Sequence, residues 1–121
     1  MPVVAFNNWR VAIMNDMEKY SSQNVECWQK HNLSDESFVL LKGKCTLFVA
    51  EGGDTPDDNI TACKMEPQKV YNIKKGVWHT HTFSEDTSVL IVENDDTNDS
   101  NSPKVKINGT QRDFIIKNSG F

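Results

Sequence analysis

The chain has 121 residues, enough for one domain with a buried core but too few for two. Its net charge of −4 and pI near 5.3 provide no basic stripe to neutralise phosphates, which argues against nucleic acids and anionic membranes as partners. The N-terminus lacks a signal-peptide pattern, and no apolar run approaches the ~20 residues of a membrane span. We therefore predict a single cytoplasmic domain over residues 1–121.

Short apolar or alternating segments recur about every ten residues, as in all-β proteins. We predict strands at Trp9–Met14, Val25–Gln29, Ser37–Leu41, Cys45–Ala50, Thr61–Met65, Lys69–Ile73, Val77–Phe83, Ser88–Glu93, Val105–Ile107 and Asp113–Ile116. A weak 3.6-residue periodicity over Met14–Tyr20 predicts one short helix. The spacing, with turn-forming residues between the segments, is typical of an all-β sandwich or barrel.

The segment Ser37–Leu41 is apolar at most positions, which predicts a strand covered on both faces. Gly43 permits a tight turn into the next apolar segment, Cys45–Val49. We therefore predict a hairpin at the centre of the core. The acidic stretch Glu51–Asn59 and the segment Glu93–Pro103 are predicted to be solvated loops.

Two histidines lie two positions apart in the segment GVWHTHTF, residues 76–83. Residues i and i+2 of a strand share one face, so His79 and His81 are expected to project into the same space. Imidazole is a suitable ligand for Zn, Fe, Ni, Cu or Mn, but a metal site needs further ligands from elsewhere in the chain.

The segment WQKHNLSDESFVLLKG, residues 28–43, supplies candidates for those ligands. Its spacing resembles the first motif of the cupin family, Gly-x5-His-x-His-x3,4-Glu-x6-Gly. His31 matches the second histidine, Glu36 the glutamate and Gly43 the final glycine. Gln29 stands where the motif has its first histidine, and Gln23 where it has its opening glycine.

Residues 68–83 resemble the second cupin motif, Gly-x5-Pro-x-Gly-x2-His-x3-Asn. Gly76 and His79 match it. The departures are Gln68 for glycine, Lys74 for proline and Phe83 for asparagine. The resemblance covers the central two-thirds of the chain and implies a jelly-roll barrel of two antiparallel sheets, commonly a homodimer, with the motif residues pointing into the barrel mouth.

By this resemblance, His31, Glu36 and His79 are expected to bind a divalent transition metal such as Zn, Fe, Mn or Ni. His81 is a candidate replacement for the imidazole that Gln29 does not supply. The departures from the motifs are equally those of a cupin that has lost its metal, so a metal-free pocket stays open.

Trp28 and Trp78 each flank a motif position. They are candidates for the core or for the wall of the pocket.

Three functions stay open at this point. The first is a metal-dependent enzyme acting on a polar metabolite. The second is a metal-free sugar isomerase or epimerase, in which His31 or His79 is the base and Tyr20 or Tyr71 the acid. The third is a non-catalytic module that binds a small ligand. The sequence predicts a small-molecule pocket in each case and leaves the reaction and the substrate undecided.

Overall fold

The computed structural model describes residues 2–15, 20–98 and 100–120. Over these residues the chain forms ten strands and one helix. They are β1 (Pro2–Phe6), β2 (Trp9–Asn15), β3 (Cys27–Gln29), β4 (Glu36–Lys42), β5 (Cys45–Ala50), β6 (Ile60–Lys64), β7 (Val70–Ile73), β8 (Trp78–Phe83), β9 (Ser88–Asn94), β10 (Lys104–Lys106) and α1 (Gly109–Asn118). No helix among the described residues is long and apolar enough to cross a membrane.

The strands pair into two five-stranded antiparallel sheets. The order is β1-β2-β9-β4-β7 in the first sheet and β10-β3-β8-β5-β6 in the second. Most neighbours in space are distant in sequence, because the chain crosses repeatedly between the sheets. The prediction of an all-β jelly-roll sandwich is confirmed.

The central strands of the second sheet, β5 and β8, are buried on both faces. The inner face of this sheet contributes Leu47 to a core that also contains Phe38 of the first sheet. Its outer face contributes Trp28 and Trp78 to a second core, which α1 closes with Ile115. Complete burial of a large apolar side chain contributes about 2 kcal/mol. Strands β5 and β8 are therefore buried at almost every position.

The predicted central hairpin is wrong. Strand β4 pairs with β7 and β9 in the first sheet, whereas β5 pairs with β6 and β8 in the second. Gly43 turns the chain from one sheet to the other, with a φ of +83° that favours glycine. The prediction that Ser37–Leu41 is covered on both faces is also wrong, since Leu41 is 46% exposed.

The predicted strand Asp113–Ile116 is wrong as well, because these residues lie within helix α1. Asn108 begins the helix with a capping box, in which its side chain accepts from the backbone N–H of Gln111 at 2.8 Å. The side chain of Gln111 accepts in return from the N–H of Asn108 at 3.0 Å. Ile115 then packs fully buried against the second sheet. The pattern Asn-x-x-Gln was the available signal for this helix.

The predicted short helix over Met14–Tyr20 falls largely on residues 16–19, which lie outside the described residues. The predicted loop Glu51–Asn59 contains no strand or helix. The predicted loop Glu93–Pro103 begins two residues later than expected, because Glu93 and Asn94 belong to β9, and its described part over residues 95–98 and 100–103 contains no strand or helix.

Candidate metal centre and cavity

Three potential metal ligands converge between the two sheets. Glu36 begins β4, His79 lies in β8 and His31 follows β3. Nε2 of His31 lies 2.9 Å from Oε1 of Glu36, and Nε2 of His79 lies 3.2 Å from the same oxygen. All three side chains are buried, and their ligand atoms lie within 4.8 Å of one another. They form a triad that could hold a metal ion, with the two-histidine, one-carboxylate donor set.

Hydrogen bonds on the outer side of each imidazole determine which nitrogen points inward. Nδ1 of His79 lies 3.0 Å from the carbonyl oxygen of Val77, which can only accept. Nδ1 of His31 lies 2.7 Å from Oγ of Ser102, and Ser102 donates its own proton to Asn101. Nδ1 of each ring is therefore the nitrogen that donates outward, and Nε2 is the nitrogen that faces Glu36. Such outer hydrogen bonds commonly orient metal-binding histidines.

The charges of the triad are strongly coupled. Burial by itself raises the pKa of Glu36, but hydrogen bonds with His31 and His79 hold it well below its usual range. Burial by itself lowers the pKa of His31, yet the hydrogen bond and the charge of Glu36 raise it overall. Two imidazole nitrogens and a carboxylate oxygen thus face one another, and they can share protons or bind a metal ion. The donor set therefore fits a divalent transition metal.

A second carboxyl group, that of Glu93 in β9, forms a hydrogen bond with Glu36. Burial, followed by the hydrogen bond and the charge of Glu36, raises the pKa of Glu93 to about 7. Arg10 in β2 donates to Oε2 of Glu93 through Nη2 at 2.6 Å and Nε at 3.1 Å. Arg10 also donates to the carbonyl oxygen of Thr97 at 2.9 Å. The Arg10–Glu93 pair therefore supports Glu36 from the first sheet.

Arg10, Glu93 and Ser102 were not among the residues predicted from the sequence. A signal existed for Arg10, because a charged residue interrupts an otherwise apolar predicted strand there. Glu93 lies at the end of its predicted strand and Ser102 in a loop. Their roles arise from residues far away in the chain, so no local pattern marks them.

The triad lies in the wall of a cavity of about 630 Å³. The residues that line it come from both sheets and from the segments on either side of them. They are Arg10, Ala12, Met14, Tyr20, Val25, Glu26, Cys27, Gln29, His31, Glu36, Phe38, His79, Thr80, His81, Ile91, Glu93, Thr97, Asn98, Ser102 and Lys104. A volume of this size is typical of small-molecule sites.

Gln29 and His81 also line the cavity, but His81 does not join the triad. Gln29 lies directly opposite His79 in the pairing of β3 with β8. The ring of His81 lies 4.9 Å from that of Tyr20 and 4.9 Å from that of Phe83, centre to centre. His81 therefore belongs to an aromatic part of the barrel interior.

Trp28 and Trp78 lie in the second core and do not line the cavity. Because strand residues alternate between faces, the inward direction of Gln29 and His79 sends both neighbouring tryptophans outward. Trp28 donates from Nε1 to Oε1 of Gln111 at 2.9 Å, which joins the sheet to α1. Both tryptophans therefore have a structural role, in the core between the second sheet and α1.

Comparisons with known proteins identify the architecture. No protein-family model and no curated protein matches the chain. A solved cupin-2 domain containing protein from Shewanella frigidimarina matches with a TM-score of 0.55 and 17% identity, over 78% of this chain and 79% of that one. The chain has the cupin fold.

Two further solved structures resemble this cupin barrel. The QdtA 3,4-ketoisomerase from Thermoanaerobacterium thermosaccharolyticum, in complex with TDP, has a TM-score of 0.62 and 15% identity, over 96% of this chain and 75% of that one. Fe(II)-HppE has a TM-score of 0.55 and 11% identity, over 72% of this chain and 42% of that one. These TM-scores establish a shared fold, whereas identities this low do not carry over an activity, so the chemistry of this barrel follows only from its own residues.

Proposed function

We propose that the protein binds a small polar molecule beside a divalent transition metal that His31, Glu36 and His79 hold. The observation that carries the proposal is the convergence of three buried ligand atoms within 4.8 Å, with Nδ1 of each imidazole hydrogen-bonded outward and Nε2 facing Glu36. Fe(II)-HppE, a protein of the same fold, supports iron as one candidate metal. Zn, Mn and Ni also suit this donor set.

A bound metal would supply Lewis-acid polarisation of a substrate oxygen. The residues of the chain have separate tasks around it. Gln29 lies beside His79 and offers an amide group to a polar ligand. The Arg10–Glu93 pair supports Glu36 and places a guanidinium group at the cavity wall.

The test is metal titration of chelator-treated protein with Co²⁺, followed by absorption spectroscopy and elemental analysis. We expect one ion per chain. Glu36→Gln should weaken binding more than about 100-fold, since loss of a ligand exceeds the 10–100-fold typical of outer hydrogen-bond partners.

Glu26→Gln is the matched control, because Glu26 lines the same cavity but lies outside the triad. This variant should bind Co²⁺ like the unaltered protein. Reconstituted protein without stoichiometric metal would contradict the proposal, and so would equal weakening by both variants.

A metal-free isomerase is the second candidate function. Tyr20 supports it, because it lines the same cavity as the candidate bases His31 and His79, so a phenol and an imidazole face the same space. Tyr71, the other tyrosine of the chain, does not line the cavity. Ligand turnover that survives complete metal removal and is lost in Tyr20→Phe would favour this function over the first.

We also propose that the protein is a cytoplasmic homodimer. The apolar side chains of Val4, Phe6 and Trp9 are 48%, 59% and 42% exposed on the hairpin at the edge of the first sheet, and a second copy would cover them.

Light scattering should give twice the chain mass of 13.7 kDa. Phe6→Glu should shift the protein to monomer, whereas Leu33→Glu, at an equally exposed apolar position outside the hairpin, should not. A monomeric unaltered protein would contradict the proposal.

A further inference from the structure

The cavity wall is built in two layers that differ in chemistry. The first layer contains the polar residues Arg10, Gln29, Glu36, His79 and Glu93. The second layer lies two positions away on each of the same five strands, toward the same end of the barrel. It contains Ala12, Cys27, Phe38, His81 and Ile91. Residues two apart share a strand face, so all ten side chains face the same cavity.

The strand register confirms that these layers are real neighbours in space. In the first layer Arg10 lies opposite Glu93, and in the second layer Ala12 lies opposite Ile91. Phe38 also lies opposite Ile91 on the other side of β9. The layers are separated by about 6.6 Å, the rise of two strand residues.

Aromatic rings form one side of the second layer. The centre of the Phe38 ring lies 6.2 Å from that of His79 and 6.0 Å from that of His81. It therefore connects the triad to the second layer. Tyr20 adds a ring 4.9 Å from His81. Apart from His81, the second layer carries no side chain that is ordinarily charged near pH 7.

Ala12 provides space in this layer. It faces the cavity from the middle of β2, between Arg10 and Met14, and it is only partly buried. Its inward neighbours across the layer, Phe38 and Ile91, are 2% and 4% exposed. Ala12 itself lines the cavity and keeps part of its surface accessible, so a larger side chain at this position would project into the cavity volume.

We propose that the second layer is a subsite for a planar apolar group, such as an aromatic ring, of a ligand whose oxygen atoms bind the metal at the first layer. This inference rests on the proposed function, because the metal anchors the polar end of the ligand. The ring stacks against the aromatic side of the subsite and fills the space over Ala12. The ligand class is a small molecule with a chelating polar head and an aromatic tail.

The test compares two hydroxamates with the same chelating group on Co²⁺-loaded protein. Acetohydroxamate reaches only the metal, whereas phenylacetohydroxamate has a spacer that lets its ring reach the second layer. We expect phenylacetohydroxamate to bind roughly tenfold more tightly, the effect of burying one ring in an aromatic site. Competition with the Co²⁺ absorption band measures both affinities.

Ala12→Leu fills the subsite, so the ratio of the two affinities should fall to about one, because the added side chain takes the volume of the ring. Ala5→Leu is the control, since Ala5 is exposed on the adjacent strand β1 and should retain the full ratio. If Ala12→Leu does not fold, Tyr20→Ala and its control Tyr71→Ala form a second pair of variants for measuring the ratio of the two hydroxamate affinities.

A measurement without metal separates this inference from the proposed function. Phenylacetate added to metal-free protein should shift the methyl NMR signals of Ala12 and Ile91, whereas acetate should not. Equal hydroxamate affinities in the unaltered protein, with Co²⁺ bound, would overturn the inference and leave the metal site standing. Failure to bind Co²⁺ would overturn the proposed function, and absence of the methyl shifts would then overturn the subsite as well.

Discussion

His31 and His79 are held in different ways, although both direct Nε2 toward Glu36. His79 lies within β8, and its outer nitrogen donates to the carbonyl oxygen of Val77, two residues away. His31 lies outside the strands, and its outer nitrogen donates to Ser102, 71 residues away. The position of His79 is therefore local, whereas that of His31 depends on the loop before β10.

Ser102→Ala should lower the metal affinity roughly tenfold, because His31 loses the acceptor that fixes its tautomer and ring orientation. A chelator competition titration measures the affinity. Ser100→Ala is the control, since Ser100 is exposed in the same loop and its hydroxyl donates to the side chain of Asn98, away from His31. An unchanged affinity in Ser102→Ala would show that Ser102 does not position His31.

At the scale of elements, two motif glycines have similar backbones and different surroundings. Gly43 has a φ of +83° and Gly76 a φ of +77°. A Cβ at Gly43 would lie 2.7 Å from Cα of Thr87, whereas a Cβ at Gly76 would meet nothing within 4 Å. Gly43 therefore permits both the turn and the close packing of two loops, and Gly76 permits only the turn.

Gly43→Ala should lower the free energy of unfolding by roughly 3 kcal/mol, through a strained backbone and overlap with Thr87. Gly76→Ala should lower it by only about 1 kcal/mol, through the backbone alone. Urea denaturation measures both. Equal losses in the two variants would contradict the role given to the packing at Thr87.

Helix α1 depends on one buried amide. Gln111 completes the capping box and accepts from Nε1 of Trp28. Gln111→Ala should destabilise the protein by about 2 to 4 kcal/mol, because the cap is weakened and the buried indole N–H loses its partner. Thermal or urea unfolding provides the measurement. Thr110→Ala, at the exposed neighbouring position, should change stability little, and a similar loss there would argue against this reason.

At the scale of the whole molecule, the candidate metal site joins the two sheets. Glu36 belongs to the first sheet, His79 to the second, and His31 to the segment between them. A metal bound here would link elements that unfold together, and its binding free energy would add to the stability of the fold.

A free metal concentration of 100 times the dissociation constant should stabilise the protein by about 2.7 kcal/mol. Unfolding in urea with and without Co²⁺ measures this increment. Glu36→Gln should lose it, and Glu26→Gln should retain it. A metal that leaves the unfolding midpoint of the unaltered protein unchanged would exclude binding to the native triad.

The sequence by itself determined the all-β class, most strand positions and the cupin motifs, because alternation and turn residues are local signals. The motif spacing selected His31, Glu36 and His79, which the structure brings together. Tertiary structure decided the pairing of β4 and β5 with other strands and the helical state of residues 109–118, since both depend on contacts between distant segments. It also decided the inward direction of Arg10 and Glu93. Only the packed barrel defines which face of a strand is its interior, so the two layers of the cavity could not be read from one strand alone.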